Sequence, residues 1–457
     1  MPEINTNRRT LRIPAALAVL LLFTAVINAN AATDTIRVMA YNVLYYGNGC
    51  QEPNEHHHSY LSTILKYANA DLISLEKVSS IKLTPDDEHG VAPYGFADSI
   101  LKYAFDKAYP GRYAYCTITN EAKANNSSIL FYDKRKLGFA NIVATYVNGT
   151  DYNTYKLYSK NDGGDTSFLY VTCNHTKSGD DFDDVRALQA TGALNSIKHH
   201  FTELGNHLFL GDFNARSSEE DFYQLLVAGN DASFRFCDPP FYPDHKLTYP
   251  CNWDHDPLFA TYFTTSTRET AGVPNNCGSA GGAKNWYDHI FMSRPLTEEQ
   301  NDIRYIAGSY RTLGNDGQRF KVSITNANMH SNNSAPPEVI NAIYRMSNKY
   351  PVMAELVIDK TKRGKKVERV CDKVIEKQEV TILEVTDKQV RILFPAELVG
   401  QELFIECKDA AGQTVISKKF ILDDTYFGLR HKLAAGRYTI NFRGRHNMIT
   451  TTSINID

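Results

Sequence analysis

The chain has no surplus of positive charge: 49 Lys and Arg stand against 52 Asp and Glu, a formal net charge of -3. Proteins that grip long nucleic acids neutralise phosphates with a clear Lys/Arg excess, so the balance argues against a dedicated nucleic-acid binder. A small phosphate-bearing ligand stays open. Nor is there a run long enough for a typical membrane-spanning helix, because "AALAVLLLFTAVINA" falls short of the roughly 20 residues a span needs. With Arg8, Arg9 and Arg12 before it and Ala29-Asn30-Ala31 at its end, this run reads as a signal peptide over residues 1–31. An uncleaved anchor would export the chain equally. Cysteine is sparse, eight residues scattered along 457. Spacing does not dictate pairing; Cys237 with Cys251 or Cys277 is the expected loop bridge, and Cys173 lies in an apolar strand pattern where a free thiol packs well.

What is present is ordinary globular composition, 42% hydrophobic and 22% charged, on a chain long enough for one large and one small domain. From about residue 34, strand-like and helix-like stretches alternate: "TIRVMAYNVL", "SYLSTILKYANA", "DLISLEKV", "SFLYVTCNHT", "DDVRALQATGALNSIKHH", "NHLFLGDFN", "SSEEDFYQLLVAG", "NWYDHIFMS" and "PVMAELVID". This predicts an α/β or α+β domain with large sheets over 34–358. A charged stretch over 359–378 reads as a linker. From 379 to 457, short apolar runs alternate with turns and nothing reads as helix, which predicts a small all-β, Ig-like sandwich.

Polar residues collect at strand ends. "MAYNVL" carries Asn42, "CNHTKSG" carries His175, "LGDFNA" carries Asp212 and Asn214, and "YDHIFMS" carries Asp288. Asp212 and Asn214 at alternate positions are expected on one side, where a carboxylate and a carboxamide orient water and bind a phosphoryl oxygen. Three adjacent histidines, His56, His57 and His58, point in different directions on a helix start, so they are expected in a solvated loop rather than around one ion.

In this order, "AYNVL", "ADLISLEKV", "SSILFYDKRKL", "CNHTKSG" with "VRALQA", "LGDFNA", "YDHIFMS" and "SNKYPVMAEL" resemble the endonuclease/exonuclease/phosphatase superfamily, over about residues 34–358. The resemblance implies a DNase I-like four-layer sandwich with two central mixed β-sheets, and a phosphoesterase that works with a divalent metal. It further implies that Asn42 holds a metal-bound water or phosphate oxygen and that His175 neutralises or protonates the phosphoester. Asp212 would orient the attacking water, Asn214 would bind a phosphoryl oxygen, and Asp288 would orient the last motif's histidine.

Three positions depart from that pattern. The family's Leu-Gln-Glu-Val is here Leu75-Glu76-Lys77-Val78, which puts Lys77 at the metal-ligand position and Glu76, by strand alternation, on the opposite face. The final Ser-Asp-His is here Ser347-Asn348-Lys349. An ammonium about 4 Å from a divalent ion is repelled by roughly 8 kcal/mol at an effective dielectric near 20, so no metal is expected beside a charged Lys77. The expected protein is a degenerate phosphoesterase that binds a phosphate or other anion and needs no cofactor. Two alternatives stand beside it: an active Mg²⁺-dependent phosphodiesterase or phosphatase that recruits Glu76, with Asn42, through a β-bulge, and an adhesion scaffold. The expected partners are a phosphate-bearing small molecule, a lipid headgroup or a nucleotide.

The tail, by "DAAGQTV", "LAAGRYTINF" and the final "TTSINID", resembles the sorting domain of the type IX secretion system of Bacteroidetes. That implies contact with secretion machinery and a secreted or cell-surface location.

Overall fold

The structure, a computed structural model, describes residues 33–47, 50, 54–80, 93–160, 167–242, 251–271, 277–298, 301–369, 380–395, 398–444 and 448–456. The signal-peptide segment lies outside them.

Two mixed sheets face each other. The first contains β1 (Thr33–Tyr46), β2 (Leu72–Ser79), β3 (Tyr113–Tyr115) and β4 (Asn126–Asp133). The second contains β5 (Leu137–Asn148), β6 (Thr150–Ser159), β7 (Phe168–His175), β8 (His207–Asp212), β9 (Phe236–Cys237) and β10 (Asp288–Ser293). The chain then returns to the first sheet with β11 (Ile303–Tyr305), β12 (Arg311–Thr312) and β13 (Val352–Asp359). The orders are β11-β13-β1-β2-β4-β3, with β12 on β13, and β5-β6-β7-β8-β10-β9. Each sheet has one parallel pair at its centre, β1 with β2 and β7 with β8. Covered on both faces, these strands are near-continuously buried, as central parallel strands must be.

Parallel neighbours need a crossover, and a helix supplies each one. Helix α1 (Asn54–Ala68) links β1 to β2, and α2 (Asp183–His200) links β7 to β8. In α1, Leu61, Ile64, Leu65 and Ala68 recur at helical spacing and are buried, while Glu55 and Lys66 sit at the ends that suit their charges. Helices α3 (Asp221–Ala228) and α4 (Pro337–Met346) pack against α2 and α1 respectively. Helix, sheet, sheet and helix make the expected four-layer sandwich. Its parallel strands end at one pole, where the crevice beyond their carboxyl ends collects side chains.

Gly211 in β8 makes that end possible. Its φ is +130°, and a Cβ there would lie 2.1 Å from the Asn174 carbonyl oxygen on β7. Only glycine lets β7 and β8 stay paired up to Asp212.

Two expectations are corrected here. The disulfide is Cys50–Cys277, with Cα atoms 6.1 Å apart, while Cys237 and Cys251 are free thiols. The partners lie 227 residues apart and meet because both segments converge on the strand-end pole, a proximity set by topology rather than by spacing. The three histidines are not in a solvated loop: they lie in the first turns of α1, where His57 is buried, its ring edge-on to Tyr46, and His58 pairs with the Tyr46 hydroxyl.

The charged stretch from 359 is described through Arg369 and lies on the sandwich up to that point. Val367 is buried, Thr202 N–H donates to its carbonyl, and Arg369 N–H donates to the His200 carbonyl. The tail forms two antiparallel sheets: β14 (Thr381–Val385), β15 (Gln389–Leu393) and β18 (Tyr426–Arg430), and β16 (Glu402–Lys408), β17 (Thr414–Ile421), β19 (Gly436–Arg443) and β20 (Met448–Ile456). Ile392, Phe394, Ile405, Cys407, Leu429 and Phe442 form its own core.

Replacing Gly211 with Ala forces a methyl into the Asn174 backbone at a left-handed position. The expected loss is about 1–3 kcal/mol, read as a lower urea midpoint at unchanged slope.

Candidate functional site

The end of β1 brings Asn42 to the strand-end pole. Its Nδ2 donates to Asp212 Oδ2 at 2.8 Å, and its Oδ1 accepts from the Leu44 N–H at 3.0 Å. Beyond it the β1–β2 register slips, with Leu44 and Tyr45 at φ values of 48° and 57°. The β2–β4 register slips too, between Leu75 and Val78, and Lys77 takes φ 60°. This is a β-bulge, the device that re-aims a side chain.

The bulge decides the Glu76 and Lys77 question against simple alternation. Ser74 Oγ donates to Cys173 Sγ on the facing sheet, so Ser74 and Glu76, two residues on, look between the sheets. Glu76 also pairs in register with Asn42, whose side chain reaches Asp212. The opposite-face expectation for Glu76 is therefore corrected: Glu76 faces the site by ordinary alternation. Lys77 is the residue the bulge turns, and its Nζ lies 4.3 Å over the Tyr45 ring at the half-exposed mouth. Both residues share a field with Asp212.

Behind the mouth sits Lys349. Its Nζ is 2.8 Å from Asp212 Oδ2 and 3.0 Å from Asp288 Oδ2, and all three side chains are at most 5% exposed. Asp212 and Asp288 are direct register partners on β8 and β10. The lysine's backbone is fixed as well: its N–H donates to Ser347 Oγ at 3.1 Å, and that hydroxyl donates to the Asn42 carbonyl at 2.7 Å. Asp288 N–H donates to Thr264 Oγ1. Asn214 N–H donates to Asp212 Oδ1 at 3.0 Å.

Burial and charge then set each protonation state. Burial opposes the Lys349 charge, but Asp212 and Asp288 more than offset it, so its pKa is raised. Burial likewise works against ionised Asp212, yet Lys349, His175 and the Asn42 amide together hold its carboxyl below the usual range. Asp288 moves the other way, pushed up to about 7 by burial and the Asp212 charge against the pull of Lys349. One ammonium thus serves mainly Asp212, the carboxylate with the further hydrogen bonds. Glu76 is fully buried with no hydrogen-bond partner at either oxygen, and burial raises its pKa well above the carboxylate range. Lys77 is brought down to about 8 by burial, with Asp212 opposing and Lys349 assisting.

His175 ends β7, half-exposed, with Nδ1 3.3 Å from Asn126 Oδ1. Burial, with the two lysines, lowers it to about 4 despite Asp212, so it is neutral at pH 7 and carries no proton to give. Asn214 lies past the end of β8 at φ 49°, and its Nδ2 donates to the Thr176 carbonyl at 3.0 Å, so the carboxamide nitrogen is committed to backbone. Asn348 is buried against Gly278 with its Oδ1 unpartnered. Asn42, Glu76, Lys77, His175, Asp212, Asp288 and Lys349 therefore share one site.

Two aromatic residues were missed by sequence reasoning. Tyr45 carries Lys77, and Tyr287 lies 4.8 Å under the Lys349 Nζ. No pattern in the chain announces the left-handed pair Leu44–Tyr45. Among the described residues, no group of three or more His, Cys, Asp or Glu is placed to hold a metal ion.

No family model matches the chain, and no curated protein matches it. Among solved structures it is similar to the human Nocturnin catalytic domain with bound sulfate anion, at 13% identity and TM-score 0.41, over 71% of this chain and 97% of that one. It is also similar to D. rerio TDP2 complexed with single strand DNA product, at 14% identity and TM-score 0.43, over 71% and 99%. A third is the endonuclease/exonuclease/phosphatase from Beutenbergia cavernae, at 12% identity and TM-score 0.41, over 92% and 99%. These are likenesses of chain path, and the chemistry below rests on this chain's own side chains.

Glu76 generates a pH prediction. An acid whose folded pKa is raised gives its full stability below the unfolded pKa, and loses it as pH rises toward the folded value. Glu76→Gln should therefore flatten the fall in stability that sets in as pH rises above the ordinary carboxylate range, by up to about 1.4 kcal/mol per pH unit, read from urea unfolding at several pH values.

Proposed function

We propose that this strand-end pocket binds an anion of the phosphate class without hydrolysing it, in an exported protein that keeps a phosphoesterase fold. The observation that carries the reading is the Lys349 ammonium lodged between Asp212 and Asp288. The residues present do not fit a divalent metal. Two carboxylates that would serve as ligands already bind an internal cation, Lys77 adds a second positive charge nearby, and Glu76 is sealed where burial opposes its ionisation. A charged ammonium about 4 Å away costs an incoming divalent ion roughly 8 kcal/mol.

Lys77 is the group left to meet a ligand. It is largely buried but not sealed, and its Nζ has no carboxylate within ion-pair distance among the described residues. With Asp212 matched by Lys349, Asp288 pushed up to about 7, ionisation of Glu76 opposed by burial and His175 brought down to about 4, Lys77 supplies the positive charge for an anion below about pH 7. Strain supports a maintained site over random decay. Leu44, Tyr45, Lys77 and Asn214 all hold left-handed backbone here, a cost that persists only where the surroundings enforce it.

The rival reading, an active metal-dependent phosphoesterase, draws on the Glu76 carboxyl, which faces the site with both oxygens unpartnered. It requires Lys349 to leave and Glu76 to ionise in a dry interior, and burial opposes both. Export rests on the leader segment, and the Cys50–Cys277 disulfide suits an oxidising compartment. The tail sandwich then acts as the sorting or surface-attachment element.

Two experiments test this. The unmodified protein is expected to show no turnover of a phosphodiester, supercoiled DNA or sphingomyelin with Mg²⁺ or Mn²⁺, while the triple variant Lys77→Glu, Asn348→Asp, Lys349→His gains it. Turnover by the unmodified protein at the rates of ordinary phosphoesterases sinks the reading. In calorimetry, inorganic phosphate should bind the unmodified protein, Lys77→Met should weaken that binding tenfold or more, and affinity should fall as pH rises through about 8, where Lys77 loses its proton.

A further inference from the structure

The Cys50–Cys277 disulfide lies where the two walls of the pocket meet. Cys50 follows the left-handed Leu44–Tyr45 turn by a few residues. Cys277 begins a glycine-rich loop, "CGSAGG", in which Gly278, Gly281 and Gly282 all take positive φ. Gly278 is pressed onto both walls at once: a Cβ there would lie 2.9 Å from Leu44 Cδ2 and 3.0 Å from Asn348 Cγ. Leu44 precedes the tyrosine on which Lys77 rests, and Asn348 precedes Lys349. Downstream, the Ser266 hydroxyl donates to the Ser279 carbonyl at 2.9 Å, and the Thr267 N–H donates to the Asn348 carbonyl at 3.0 Å. A loop with three positive-φ glycines has little stiffness of its own. From Ser279 onward hydrogen bonds hold it, with the Gly281 and Gly282 N–H groups donating to the Glu269 and Arg268 carbonyls; at its start, ahead of Gly278, the covalent bond is the fixed point.

We infer that Cys50–Cys277 is the positioning device of the anion pocket: it pins the Tyr45–Lys77 wall against the Asn348–Lys349 wall, so that reducing it opens the pocket while the sandwich stays folded. This rests on the anion-binding reading for its ligand, though not for its geometry. The two sheets do not need the bond, since their ladders and shared core lie elsewhere. Reduction requires a dithiol such as dithiothreitol, which supplies two electrons and two protons. The sulfur–sulfur bond breaks to two thiols while the dithiol closes to its own cyclic disulfide.

The test uses the full chain, oxidised and reduced, with two readouts. The first is the pH midpoint for acylation of Lys77 by an N-hydroxysuccinimide ester, mapped by peptide mass spectrometry. It is expected near 8 in the oxidised protein and at least one unit higher after reduction, because opening the wall removes the burial that lowers it. The second is calorimetry with inorganic phosphate, where reduction is expected to weaken binding at least tenfold. Far-UV circular dichroism checks that the sandwich survives. Should reduction unfold the chain, Gly278→Ala decides instead, since it keeps the bond yet pushes on Leu44 and Asn348; the same upward shift is expected. A Lys77 midpoint unmoved by Gly278→Ala, and by reduction if the fold survives it, overturns the inference. If the midpoint moves but the oxidised protein binds no phosphate, the anion reading fails and the positioning role stands.

Discussion

Everything at the strand-end pole depends on one ammonium placed between two buried carboxylates. Lys349 lies within 3.0 Å of both Asp212 and Asp288, and Asp212 is at the same time the acceptor for Asn42 from the opposite sheet. The Ser347 hydroxyl closes the circuit by holding the Asn42 carbonyl and the Lys349 N–H. The ends of two sheets, which elsewhere meet through apolar packing, are joined here by charge. Such a cluster gains little over a well-packed apolar one, yet removing one partner costs about 3–5 kcal/mol because a buried charge is left uncompensated. Lys349 is therefore a structural cation, bound by both carboxylates at once.

The second lysine behaves differently because of backbone, not charge. Lys77 is one residue from a fully buried acid, and a regular strand would have sent it outward toward the helices. The bulge between Leu75 and Val78, with Lys77 at φ 60°, turns it to the mouth instead. There it meets an aromatic face rather than a carboxylate, an interaction that lets an ammonium remain partly desolvated without neutralising it. One lysine is spent inside and one is left for a ligand. Burial opposes the charge of Glu76 and raises its pKa, with the Asp288 and Asp212 charges acting in the same direction.

Most of the scaffold was legible in the chain. "DDVRALQATGALNSIKHH" is helix α2 end to end, and the strand-end residues Asn42, His175, Asp212 and Asp288 do converge, because the parallel pairs β1–β2 and β7–β8 both end at that pole. Lys77 and Lys349 were also singled out in the chain, as departures from the ordered pattern it resembles. What escaped was everything that local periodicity does not encode. The resemblance gave the inward position to Lys77, and alternation counted from there put Glu76 on the wrong face, because the bulge at Lys77 lies outside any pattern in the chain. Spacing suggested the wrong disulfide because Cys50 and Cys277 meet through topology. The histidines looked solvated because their polarity says nothing of Tyr46, which lies across from them at the end of β1.

The distinction between a decayed site and a retained one turns on where the molecule still bears conformational cost. Loss of a metal ligand by drift relaxes the constraints around it, and bulky residues such as Leu44 and Tyr45 gain about 1–3 kcal/mol each by leaving a strained conformation. Instead both remain left-handed, next to a lysine that is left-handed too, beneath a loop fastened by a disulfide. The Lys349 ammonium takes its two carboxylate partners from β8 and β10 in the facing sheet, while Leu44 reaches the cluster only through the Asn42 side chain. Leu44, Tyr45 and Lys77 carry their left-handed backbone side by side, and it is around Lys77 that the molecule bears this conformational cost.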